Sequence, residues 1–171
     1  MSETAPLDPF AVCEFLDVRV YPISRLVDEQ GNLVGEFFLK EKPEEFSGAV
    51  IRSGMCSAII HNDAHTIPRQ RSNLCHELAH IFLGHPIAQV VNEDGGRNRH
   101  AVMEEEAAFL GGVLLIPNEA AHYIVKSGLL GTAADTYGVS VEMLNYRIKK
   151  SGALITHIRR MNRSSKRLAA G

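Results

Sequence analysis

Two histidines and a glutamate, in the run His76-Glu77-Leu78-Ala79-His80, are the residues of this chain whose types and spacing name a chemistry. On a helix, side chains four residues apart lie on one face, so both imidazoles can offer a nitrogen to one metal ion. The carboxylate between them can reach a water at the same ion. That combination is suited to metal-assisted hydrolysis of a peptide bond. A hydrolytic zinc site uses three protein ligands and one open position. His76 and His80 supply two of the three.

Two answers compete for the third. An extended form of the motif places another histidine six residues after the second, with a glycine three after it. Here those positions hold Pro86 and Leu83, so His85 is off by one and is rejected as a ligand. The other answer is a carboxylate of Glu104-Glu105-Glu106, which opens a second helical segment. Acidic residues also favour a first helical turn because of the helix dipole, so the triplet has a bland reading too. The pair Gly111-Gly112 further down that segment costs about 1 kcal/mol per residue against alanine. A helix that carries it needs close approach to a neighbour, and the expected neighbour is the His76 helix. In this scheme Glu77 is the catalytic base. His122, Tyr123 and Arg147 are candidate donors to the oxyanion. The lone histidines His61, His65, His100, His122 and His157 have no paired spacing and are read as surface or packing residues rather than ligands. Cys75, beside His76, falls on the apolar side of its helix and is read as an inert buried thiol.

Elements to position these groups are legible around them. Asp8-Pro9 ahead of Phe10, Val12, Cys13, Phe15 and Leu16 predicts a capped short helix. β-rich pieces follow at Val18 to Ile23, Leu33 to Leu39, Ala49 to Arg52 and Met55 to His61, which predict a small antiparallel or mixed sheet. From about Arg69 the apolar residues Leu74, Leu78, Ile81 and Phe82 recur at helical spacing, and Gly84 and Pro86 end the run. Ala88 to Arg99 reads as an exposed loop. Helices are expected at about Met103 to Ile116 and at Glu119 to Lys126. A helix-turn-helix-like pair is expected at about 132–151, made from Ala133 to Tyr137, the Gly138-Val139 turn, Ser140 as cap and Val141 to Lys150. The basic stretch 159–171 reads as a frayed tail.

With 171 residues, 45% of them apolar, the chain suits a single domain, here placed at 1–158, with a proper core. A net charge of −2 gives no global pull toward nucleic acid or anionic membrane. The charge is uneven, however, with no acidic residue after Glu142 and eight basic ones from Arg147 to Arg167. Three unpaired cysteines, no secretory signal and no apolar run of about 18 residues lead to the expectation of a cytoplasmic protein.

At these residues the chain resembles the ImmA/IrrE family of metallo-endopeptidases. The resemblance runs from about Phe46 to Gly152. It is carried by Ala58-Ile59-Ile60-His61-Asn62, by Arg71 to His80, by Leu83-Gly84-His85, by Glu104 to Pro117 and by Gly138-Val139-Ser140 to Arg147. It implies an α+β, zincin-like fold of the minimal gluzincin kind, with the sheet on the His76 helix and further helices at the C-terminus. It also implies zinc as cofactor and Glu104 as third ligand, with Glu105 and Glu106 as neighbours that a shift of the helix start would bring inward instead. Ala108 departs from the family's asparagine, which puts in doubt one hydrogen bond to a ligand histidine. The substrate implied is a cytosolic regulatory protein such as a helix-turn-helix repressor, and the chain reads as a stand-alone member. Two other readings stand beside this one. One is a metal-bound module that sequesters the regulator without cutting it. The other is DNA binding through the basic C-terminal segment, against which the family's use of that segment weighs.

Overall fold

The computed structural model describes residues 4–54, 56–86 and 101–168; the loop expected over Ala88 to Arg99 and the lone His100 lie outside them. In chain order the elements are α1 (Pro9–Phe15), β1 (Arg19–Pro22), α2 (Glu36–Lys40), β2 (Gly48–Ser53), β3 (Cys56–His61), α3 (Ile67–Phe82), α4 (Ala101–Leu115), α5 (Asn118–Lys126), α6 (Leu130–Tyr137), α7 (Val141–Ser151) and α8 (Ala153–Leu168). This is the expected α+β class. The chain forms two compact units, Asp8–Gly112 and Met1–Leu7 with Val113–Gly171.

In the first unit, α1 starts as its sequence dictates: the Asp8 carboxylate accepts from the Phe10 amide at 3.1 Å and Pro9 occupies the first turn. Asp8 also meets Arg71 of α3 at 3.5 Å. The sheet has the order β1-β3-β2, with β1 parallel and β2 antiparallel to the central β3, so it is mixed. Val20 and Val50 flank Ile59 in register, and Ile59 is fully buried. α3 lies against β2 and β3. Its buried residues Gln70, Leu74, Cys75, Leu78 and Ala79 recur at helical spacing; of the apolar stripe read from the sequence Leu74 and Leu78 are buried, Ile81 is half-buried and Phe82 is exposed.

The entry to α3 is fixed by polar side chains on backbone. The Asn62 amide donates to the carbonyls of Pro43 and Phe46, both at 3.1 Å, and Gln70 donates to those of Asp63 and His65 at 3.0 and 2.8 Å. His65 Nε2 donates to the Pro43 carbonyl at 2.8 Å and its Nδ1 faces the Asn73 amide at 3.2 Å. His61 and His65 are buried in this framework, consistent with packing roles.

One strand of the sequence reading is corrected. Leu33 to Leu39 does not form a strand: Leu33 makes a single bridge to Val27, and Glu36–Lys40 is helical. The aromatic pair Phe37-Phe38 carries the β signal. The i,i+4 pair Glu36 and Lys40, in contact at 2.5 Å, supports the helical turn instead.

In the second unit, Arg147 of α7 is fully buried. Its Nε donates to the Ile116 carbonyl at 2.9 Å and its Nη2 to Asn118 Oδ1 at 2.8 Å, pinning the turn at Pro117. Ser140 caps α7 through the Met143 amide at 3.2 Å, and α6 and α7 end in left-handed Gly138 and Gly152. Residues 159–168, expected as a frayed tail, continue α8 as helix. Among the described residues no single helix is long and apolar enough to cross a membrane.

The cysteines give a direct check of this packing. Cys13 and Cys75 are buried, and burial pushes their thiols up to about 11 and about 12, whereas Cys56 is exposed. Native protein treated with iodoacetamide at pH 8 should carry the label on Cys56 first, as read by peptide mass spectrometry. Equal labelling of Cys75 without denaturant would contradict the buried face of α3.

Candidate metal centre

All the residues proposed from sequence for the metal lie in the unit Asp8–Gly112. The register of α3 puts Leu74, Cys75, Leu78 and Ala79 inward, so His76, Glu77 and His80 fall on its half-buried flank. The two imidazoles stand edge to face with ring centres 4.7 Å apart and Nε2 atoms 3.1 Å apart.

α4 brings Glu104 to this pair. Its Oε2 is 3.3 Å from His76 Nε2 and its Oε1 is 3.8 Å from His80 Nε2. Glu104 is half-buried, whereas Glu105 and Glu106 are exposed, which separates the three acids that sequence chemistry left equivalent. The closeness of the two helices has a visible cause. A methyl group at Gly111 would come within 3.0 Å of the His76 amide nitrogen and 3.1 Å of the Cys75 carbonyl group. Gly111 therefore lets backbone rest nearly on backbone, and Glu104, two turns earlier on α4, faces the histidines.

One ligand atom from each of His76, His80 and Glu104 lies within 4.8 Å of the others. Tetrahedral zinc with bonds of about 2.0–2.1 Å separates its ligand atoms by about 3.3 Å. The two imidazole nitrogens, 3.1 Å apart, and Glu104 Oε2, 3.3 Å from the first of them, have that spacing, while His80 meets the other carboxylate oxygen at 3.8 Å.

Two further residues border the site. Gly48 of the edge strand β2 sits over Glu77: a methyl there would be 3.2 Å from its Cγ and 3.3 Å from its Oε1. His85, rejected as a ligand from its spacing, is 9% exposed and places its Nδ1 2.9 Å from His80 Nδ1. The ring therefore meets His80 on the side away from His76 and Glu104, consistent with that rejection. The only sequence signal for its position was Gly84, whose left-handed φ of 64° closes α3. Ala108, at the family's asparagine position, is exposed and has no polar atom to offer.

A half-buried cluster of two histidines and a glutamate beside the half-buried motif glutamate Glu77, on an α+β domain, defines a protein of the metallopeptidase type. The chain belongs to the peptidase family described as the IrrE N-terminal-like domain, whose model matches residues 36–149, about two thirds of the 171 residues. No curated protein and no solved structure matches the chain. The match covers β2, β3, α3 and α4, and with them every residue of the cluster.

The Gly111 contact can be tested by filling it. Gly111→Val should destabilise the fold by about 1–3 kcal/mol in urea denaturation and weaken zinc binding. Gly131→Ala, where the added methyl meets nothing within 4 Å, should leave stability the same or slightly higher. Wild-type stability and zinc binding in Gly111→Val would show that α3 and α4 are not in this contact.

Proposed function

We propose that the protein is a zinc-dependent endopeptidase, acting in the cytoplasm on a regulatory protein such as a helix-turn-helix repressor. One observation carries the reading: Glu77 lies between two histidines that converge with Glu104, and it is flanked by Gly48 of the edge strand β2. His76, His80 and Glu104 would hold the ion through two imidazole nitrogens and one carboxylate. When bound, zinc lowers the pKa of its water and polarises a carbonyl.

The chain's own residues then supply the remainder. Among the described residues β2 is an edge strand of the sheet, a position at which an extended peptide can add by backbone hydrogen bonds. Gly48 at the start of that edge has no side chain to keep a peptide away from the base. Glu77, with its carboxylate at this edge, takes the proton of the attacking water and passes it to the leaving amine as the peptide bond breaks. The substrate class follows from the family resemblance, whose members cut repressors encoded beside them.

Glu77→Gln keeps the shape of the base and removes its proton affinity. It should bind zinc about as tightly as wild type while cleavage of the repressor encoded beside this gene falls by about 10²–10⁴-fold. Intact repressor in both reactions, with equal loss of its operator binding, would instead favour sequestration.

A further inference from the structure

His85 has no part in the proposed ligand set, yet it is among the most buried polar residues of its unit and makes two specific contacts. Its Nδ1 is 2.9 Å from Nδ1 of His80, and its Nε2 is 3.2 Å from Oε2 of Glu106. The rings of His80 and His85 stand at 66° with centres 5.0 Å apart, an edge-on approach suited to a nitrogen-to-nitrogen hydrogen bond. The backbone enforces the pairing. α3 ends at Phe82 with Leu83 as its cap, Gly84 turns left-handed, and the His85 amide donates back to the His80 carbonyl at 3.0 Å. The chain thus folds back and sets the His85 ring on the His80 ring.

The protons follow from this geometry. His80 directs Nε2 toward His76 and Glu104, so a neutral imidazole that gives Nε2 to a metal carries its proton on Nδ1. That proton points at His85 Nδ1, 2.9 Å away, which then accepts it. An accepting Nδ1 leaves the His85 proton on Nε2, where it points at the Glu106 carboxylate. Each of the three groups therefore has one consistent role in a line running Glu106, His85, His80.

We propose that His85 and Glu106 are positioning residues for the metal: they fix the tautomer and ring orientation of His80 and raise its basicity as a ligand. Such outer partners are commonly a single carboxylate or carbonyl on each ligand histidine. Here the carboxylate acts through a second imidazole. The inference rests on the reading of His80 as a ligand. It also gives Glu106 a task distinct from that of Glu104, although the two stand side by side in one acidic triplet.

The experiment is competition for Zn2+ alone against a chromophoric chelator, with apoprotein melting measured in parallel. His85→Ala should lower zinc affinity by about 10–100-fold and Glu106→Ala by about 10-fold, with apoprotein melting close to wild type. His85→Gln, whose amide oxygen can accept from His80 Nδ1, should recover part of the loss. Zinc affinity of His85→Ala within twofold of wild type overturns the proposal while leaving the metal site intact. Should His85→Ala fail to fold, Glu106→Ala decides: unchanged affinity overturns the line, and a loss near 10-fold supports it. A wild-type chain that takes up no zinc overturns the peptidase reading itself, and this inference with it.

Discussion

The metal cluster depends on one steric allowance, the missing side chain at Gly111. Two helices ordinarily pack with their axes 8–10 Å apart because side chains fill the space between them. At Gly111 the backbone of α4 comes close enough to α3 that even a methyl would meet the His76 amide and the Cys75 carbonyl. A shorter distance between helices brings a two-carbon acidic side chain within reach of two imidazoles. Glu104 could not approach both histidines from a normally spaced helix without a longer arm. The cost of glycine within a helix is thus offset by what the close packing makes possible.

Much of this was legible because the governing signals were local. The α3 stripe, the proline and aspartate at α1 and the serine cap of α7 each act within a few residues of the element they specify. Glu77, His76 and His80 needed only helical spacing, and the need for a near neighbour could be read from Gly111-Gly112. The choice of Glu104 among three adjacent acids was different. It required the rotation of α4 relative to α3, which local chemistry does not contain and which the family resemblance supplied.

What the sequence concealed was mostly nonlocal or a matter of competing propensities. The segment around Phe37-Phe38 has strand-forming residues, yet it forms a short helix in which Glu36 and Lys40 make a charged i,i+4 pair. The C-terminal segment looked like a tail because of its charge. Its Met161 nonetheless continues the helical spacing of Leu154 and Ile158 before it, and Arg, Lys, Met and Leu are good helix formers. His85 was hidden for a third reason: ligand spacing assumes a continuing helix, and a left-handed glycine between the two histidines breaks that assumption.

The β2–β3 hairpin has a consequence for how the chain can vary. Ser53 pairs with Cys56 across a connection of only two residues, and from that point the ladder runs without interruption to Gly48 opposite His61. Side chains alternate along a strand, so adding or removing one residue in the turn exchanges the two faces of β2. Gly48 would then leave its place over Glu77, and Ala49 or Ser47 would bring a side chain there. The surface turn at Gly54 is thus a point where chain length is fixed by Glu77 at the other end of the strand, although loop tips are usually where insertions are best tolerated.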